Sequence, residues 1–398
     1  MCNGIGIDFG STACRVAICR EGQSRLAPKQ VWVSGGAVNV TFDRERKLPV
    51  DPEHPEEGDL LRWLRLETAK SSLGTGRKLS GAPGSVAGTF ADQAREQFAI
   101  LQNRLVDYLK AEVLGAVVGV PSSYGINQRA AVRSALEAGG FGSGALVDES
   151  LAAVLYCCRD LDEPKTLLLY CLGQSVFSAS VYRVENGVFQ ALTHEGSTQL
   201  GGQDFEALLV QNVIGSLKKE GVDILNDQAA IQELIKRSEK AKVNLSATDK
   251  IILKIGPLEH STSGRKVEWK APLSRRDLEV LTGPLVAQTV SLSQRAVQDA
   301  GLAREQIDEI LLVGKATRMP LIAQELKNAF VCPLREAPVE AVACGAALHA
   351  AAWRNCFVPE EAVAASADTA EGERAQHKEQ KKHKRKKKRK RTKKNRKR

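Results

Sequence analysis

The chain has 398 residues, 43% of them hydrophobic and 26% charged, a balance typical of a globular protein large enough for two lobes. Its formal net charge of +10 arises at the C-terminus, because residues 381–398 contain fifteen Lys or Arg and no acid, which leaves about −5 for residues 1–380. No window approaches the roughly 20 apolar residues of a membrane span, and the N-terminus lacks a secretory pattern. We therefore expect neither membrane insertion nor secretion.

Two similar strand–turn–strand units are predicted in chain order. The first has an apolar strand at residues 5–9, a turn at 10–12 and a returning strand at 16–19. The second has strands at 167–172 and 178–184 around a turn at 173–175, then a hairpin turn at 185–187 and a strand at 188–192. The repetition indicates a duplicated lobe.

Helices are predicted between the strands, which is typical of an α/β architecture. The helical segments are 98–108, 129–138, 203–220, 228–245 and 274–300, the last one interrupted at Gly283-Pro284, then a helix beginning at Pro320 and an alanine-rich helix at 339–352. Short apolar strands are expected at 116–120 and 310–313, and residues 359–398 are predicted to be disordered.

The nine cysteines, an odd number, lie mostly among apolar neighbours and show no metal-ligand spacing. Reduced thiols in the cytosol or the nucleus are the simplest explanation.

Five sequence blocks resemble, in order and nearly in spacing, the nucleotide-binding domain of the seventy-kilodalton heat-shock (DnaK-type) chaperones. They are GIGIDFGSTACRVAI at 4–18, VVGVPSSYGINQRAAV at 117–132, CLGQSVFSASV at 171–181, GSTQLGGQDFE at 196–206, and LLVGKATRMPLI at 311–322 leading into EAVACGAALHAA at 340–351. The resemblance covers about residues 4–353 and implies the actin-like ATPase fold, a duplicated ribonuclease-H-like α/β architecture with two lobes around a nucleotide cleft. We expect lobes at 1–160 and 161–355 and a disordered polybasic tail at 356–398.

The first turn has the residues of a phosphate and magnesium site. In Asp8-Phe9-Gly10-Ser11-Thr12, the glycine lets the backbone approach phosphate oxygens, the amides and the hydroxyls can donate to them, and Asp8 can hold a water of hydrated Mg²⁺. A strand-end turn with an Asp cap is the structural alternative. Gly201 and Gly202 precede a helix, whose N-terminal amides favour anions, so they are expected to make a further phosphate contact.

The resemblance also implies two catalytic residues. Glu149 matches the glutamate of the interlobe segment and would orient the attacking water, although an exposed acid at a helix start is the plain alternative. Lys70 resembles the lysine that supports the transferring phosphate, in a stretch that aligns poorly.

The second turn departs from the family. Cys171 stands where the family has an aspartate, and Gln174, Ser175 and Val176 replace two glycines and a threonine, whereas Gly173 is kept. A thiol cannot replace the charge of a carboxylate, so ATP hydrolysis is expected to be weak or lost. Compensation by another acid, such as Asp204, stays open.

The adenosine site is mixed, and weak affinity for ATP and ADP is expected. Glu239, Lys242 and Ser246 match its ribose and base contacts, whereas Val243 replaces a stacking arginine. Around Gly314, which is kept, Lys315 and Ala316 replace a glycine and a serine, and Arg318 is retained.

Pro121 and Arg129 resemble the switch that passes nucleotide state between the lobes.

The resemblance implies a chaperone-system component, most like the atypical, ribosome-associated members of the heat shock 70 kDa protein 14 type. Residues 354–398 are too few to encode a peptide-binding domain, so we expect help in co-translational folding through a J-domain partner in the cytosol. The Lys/Arg tail at 381–398 is expected to bind ribosomal or other RNA, or to direct nuclear or nucleolar import. Two alternatives stay open: a pseudo-ATPase scaffold that acts through its tail in ribosome assembly, and a fully active ATPase of the same fold.

Overall fold

The computed structural model describes residues 4–10, 13–19, 31–33, 40–41, 90–109, 112–142, 144–159, 161, 163–225, 227–259 and 266–352. Four predictions therefore lie outside the described residues: the roles of Ser11, Thr12 and Lys70, and the disordered polybasic tail.

The strands form a six-stranded sheet, a five-stranded sheet and a separate two-stranded hairpin. In chain order they are β1 (Gly4–Phe9), β2 (Ala13–Cys19), β3 (Val31–Val33), β4 (Val40–Thr41), β5 (Val117–Val120), β6 (Ala145–Asp148), β7 (Lys165–Leu172), β8 (Phe177–Glu185), β9 (Val188–Ser197), β10 (Lys250–Glu259), β11 (Lys266–Ser274), β12 (Glu309–Val313) and β13 (Leu334–Glu336).

The two sheets repeat one topology. The first has the order β3-β2-β1-β5-β6, with β4 beside β2, and the second has the order β9-β8-β7-β12-β13. In each, three antiparallel strands are followed by two parallel ones. The predicted duplication is therefore confirmed, and the mixed α/β arrangement agrees with the actin-like ATPase fold.

The helices are α1 (Phe90–Leu109), α2 (Ile126–Ala138), α3 (Glu149–Cys157), α4 (Gly202–Lys219), α5 (Gln228–Ala247), α6 (Arg275–Asp299), α7 (Pro320–Ala329) and α8 (Ala341–Ala352). One prediction is wrong: α6 continues through Gly283-Pro284 without a break. Its first turn is capped by Ser274, and its buried face runs from Leu278 to Val297 against the second sheet and its neighbours, so tertiary packing outweighs the hydrogen bond that Pro284 removes.

Apolar side chains form two large clusters, and one of them joins both sheets. That cluster contains Ile5 and Ile7 of β1, Leu167 and Leu169 of β7, and side chains of α3 and α8. The other lies on the opposite face of the second sheet, beneath α4, α5, α6 and α7. Helices α3 and α8 are thus shared by the two halves. In the part of the chain that the model describes, no helix combines the length and apolarity needed to cross a membrane.

Candidate functional site

Gly10, which follows β1, and the turns that follow β7 and β12 face one cleft between the two sheets. It contains a cavity of about 220 Å³, lined by Asp8 and Gly10, by residues 171–176, by residues 313–316 and by side chains of α4 and α5. The structure thus brings together the described part of the first predicted phosphate turn, the second phosphate turn, and Glu149, Glu239, Lys242 and Gly314.

Asp8 carries a partner that the sequence reading missed. The Arg15 guanidinium donates from Nη1 to Asp8 Oδ2 at 2.9 Å, and Arg15 itself lines the cavity. The two residues are opposite each other in the antiparallel β1–β2 register, which places their side chains on the same face of the sheet. That register, counted back from the predicted turn at 10–12, is the signal that could have found Arg15.

The second turn is tight, and the end of the strand that leads into it carries the buried Cys171 thiol. The Gly173 amide donates to the Val176 carbonyl at 2.9 Å, and both Cys171 and Val176 line the cavity. Burial raises the pKa of the Cys171 thiol far above its usual range, and the charge of Glu149 raises it further against a smaller opposing effect of the Ser178 hydrogen bond. Cys171 therefore stays a neutral thiol and supplies no anion at this position.

The N-terminal amides of α4 already have acceptors within the protein. Gly202 N–H donates to the Gly173 carbonyl at 2.9 Å, and Gln203 N–H to the Gln174 carbonyl at 2.8 Å. Gly201 N–H donates to the Asp204 carboxylate at 2.7 Å. In this arrangement the amides of Gly201 and Gly202 are not available for the expected phosphate contact, and the Asp204 carboxylate caps α4 and does not line the cavity.

A buried polar cluster occupies the side of the cleft next to α5. Lys242 donates to Glu206 Oε1 at 2.8 Å and to the Gly202 carbonyl at 2.9 Å, while Gln174 Nε2 donates to Glu206 Oε2 at 2.9 Å. Lys242 and Glu206 are only 6% and 4% exposed. Lys242, which is predicted to contact the ribose, therefore also forms a buried ion pair with Glu206. The sequence did not indicate the role of Glu206.

Of the remaining residues predicted to contact adenosine, some line the cavity and others lie outside it. Gly314 has φ of +101°, and a Cβ atom there would lie 2.3 Å from the Leu172 carbonyl oxygen, so only glycine suits this position. Lys315 lines the cavity, whereas Arg318 is about half exposed and lies 3.5 Å from Glu336. Ser246 donates to the Lys242 carbonyl within α5 at 3.0 Å and does not line the cavity.

The predicted switch residue Arg129 contacts Asp148, the residue that precedes Glu149. Arg129 donates to Asp148 Oδ1 at 2.5 Å and to the Tyr124 carbonyl at 2.9 Å, and so it ties the turn after Pro121 to the residue that precedes Glu149.

A chain of hydroxyls continues from this point towards the second sheet. Ser122 Oγ lies 2.6 Å from Ser150 Oγ, which lies 3.1 Å from the Tyr182 hydroxyl on β8. Burial, the largest cause, raises the pKa of Tyr182, so the phenol keeps its proton. The contact joins α3 to β8 of the second sheet.

A nucleotide fits this donor set in part, whereas magnesium fits poorly. Arg15, Lys242 and Lys315 supply cations around the two turns, although the cavity is smaller than the roughly 300–1,000 Å³ usual for small-molecule sites. Magnesium prefers oxygen ligands that include one or two carboxylates. Asp8 is already paired with Arg15, and in the described ranges no three His, Cys, Asp or Glu side chains converge as a metal site.

Comparisons with known proteins identify the family of this chain. The model of the family described as Hsp70 protein matches residues 97–364, which is more than half of the chain. The chain is 37% identical over 380 residues to heat shock protein SSC3, mitochondrial, of Saccharomyces cerevisiae; the match covers 87% of this chain and 58% of that protein. The nucleotide-binding domains of this family bind ATP and ADP, normally with Mg²⁺. The chain belongs to the Hsp70 family, and the part described here contains its actin-like nucleotide-binding domain.

Proposed function

We propose that this chain is a nucleotide-binding component of an Hsp70 chaperone system that hydrolyses ATP weakly or not at all. The observation that supports this most strongly is the neutral Cys171 thiol, which lines the cavity at the position where the family has an aspartate. Phosphoryl transfer depends on placed charge and metal, so a cleft that has lost a carboxylate keeps binding more readily than catalysis. Glu149 would position water, and Pro121 and Arg129 would report the state of the cleft.

The cellular setting of the proposed function is co-translational folding with a J-domain partner at the ribosome, in the cytosol. The family assignment supports a J-domain partner, and the fifteen Lys or Arg at 381–398 support a contact with RNA or import into the nucleus or nucleolus. The proposed boundaries are 1–160 and 161–355 for the two lobes and 356–398 for the tail. The subtype proposed is the atypical, ribosome-associated one.

Restoring the missing acid tests the catalytic part of this proposal. The variant Cys171→Asp is expected to raise single-turnover ATP hydrolysis with Mg²⁺ by about tenfold, because a charge is returned near the phosphates while Gln174 and Val176 still differ from the family. The matched control is Cys332→Asp, which adds the same charge at a half-buried cysteine outside the cleft. Rapid hydrolysis by the wild-type chain would instead favour the fully active ATPase.

The scaffold alternative is supported by the tail and by the occupied amides of α4. It predicts that ribosome association depends on charge in the tail alone. Replacing the Lys and Arg residues of 381–398 by Gln is expected to weaken co-sedimentation with ribosomes and to reduce its dependence on salt. If the tail contacts six phosphates, the plot of log binding constant against log salt concentration has a slope of about −5 for the wild-type chain, and the variant should lose this slope. Residual, nucleotide-sensitive association of that variant would favour the chaperone function, and complete loss would favour the scaffold.

A further inference from the structure

Arg15 places a permanent positive charge beside Asp8, where strands β1 and β2 flank the first predicted phosphate turn. It follows the turn on β2, opposite Asp8 on β1, and its side chain is 18% exposed towards the cavity. A guanidinium keeps its charge at every physiological pH, and its planar fork can donate two parallel hydrogen bonds to a phosphate. The residue is therefore suited to contact the anion that the turn would hold.

The ion pair between Arg15 and Asp8 also disfavours the binding of a divalent cation to Asp8. Any metal held through Asp8 would have to displace the guanidinium or lie beside it, and two cations close together repel each other. The second turn offers no replacement ligand, because Cys171 is a neutral thiol and Val176 is apolar. Glu149, Glu206 and Glu239 also line the cavity, but Glu206 is paired with Lys242, and in the described residues no three acidic, His or Cys side chains converge as a metal site.

We infer that Arg15 takes the place of magnesium in this cleft, which would make it a site for a nucleoside polyphosphate that needs no divalent cation. The inference rests on the proposed nucleotide binding and goes beyond it, because it names the group that neutralises the phosphates. On this arrangement Asp8 holds the guanidinium in position and does not serve as a metal ligand.

The test is calorimetric titration of the full-length chain with ADP and with ATP, once in excess Mg²⁺ and once in EDTA. The dissociation constants in the two buffers are expected to agree within about threefold, a difference below the tenfold change that one strong contact makes. Binding in Mg²⁺ that disappears in EDTA would overturn the inference while leaving the proposed function intact. Absence of binding in both buffers would overturn both.

Two variants identify the responsible group. Arg15→Gln is expected to weaken ADP binding in EDTA by about tenfold or more, because a charge-assisted bidentate contact becomes a neutral one. Addition of Mg²⁺ should then recover part of the affinity, since Asp8 is released. The control Arg95→Gln removes an arginine from an exposed ion pair with Asp92 and should leave binding unchanged. Thermal melting checks that both variants fold, and unaltered ADP affinity of a folded Arg15→Gln chain in EDTA would contradict the inference.

Discussion

The variant Gly345→Ala is expected to be less stable than the wild-type chain by about 2–3 kcal/mol. A Cβ atom at Gly345 of α8 would lie 1.7 Å from the carbonyl oxygen of Ala152 in α3, and this backbone atom cannot rotate away. Alanine favours a helix over glycine by about 1 kcal/mol, so the clash has to exceed that gain for the variant to lose stability. The midpoint of urea unfolding, followed by circular dichroism, measures the effect.

Gly215→Ala is the matched control for this prediction. Gly215 also lies inside a helix, α4, but an added Cβ atom would meet nothing within 4 Å. The same substitution is therefore expected to stabilise the chain by up to about 1 kcal/mol. Opposite signs for the two variants would show that the contact of α3 and α8 is the cause, and equal shifts would refute it.

Lys242→Met is expected to destabilise the chain by about 3–5 kcal/mol. The substitution leaves Glu206, which is 4% exposed, without the ammonium group that lies 2.8 Å away. Among the described residues, Gln174 is then the side chain that still donates to this carboxylate. It also removes the donor to the Gly202 carbonyl at the start of α4. Thermal and urea unfolding both measure the loss.

The double variant Lys242→Met with Glu206→Met separates the structural role of this pair from its role in binding. Two well-packed apolar side chains should restore stability to within about 1–2 kcal/mol of the wild type, because no buried charge is left unpaired. Affinity for ADP should nevertheless stay low if Lys242 contacts the ribose. A double variant as unstable as the sum of the single ones would show that the two residues are not coupled.

Local signals were sufficient to predict most of the regular structure. The alternation and turn residues around Asn186-Gly187 gave the β8–β9 hairpin, where both residues have positive φ, and Pro320 marked the first turn of α7. The hairpin of β10 and β11 was not predicted, although β10 contains the apolar run Ile251, Ile252 and Leu253. Duplication of the strand–turn–strand unit was enough to predict two matching sheets.

The details of the cleft were less predictable, because they depend on residues far apart in sequence. Lys242 meets Glu206 across 36 positions, and Gln174 meets the same acid across 32. The occupied amides at the start of α4 depend on carbonyls of the second turn, which no propensity of residues 201–203 indicates. At Cys171, burial and a neighbouring acid both act against ionisation, in the same direction as the prediction that this thiol brings no charge.

The backbone contact between α3 and α8 has a mechanical consequence. Because Gly345 lies against the carbonyl of Ala152 with no side chain between them, the two helices cannot slide past each other without separating. Their apolar side chains belong to the cluster that also contains strands of both sheets. The helix pair is therefore a rigid connection between the two sheets, packed against strands of both.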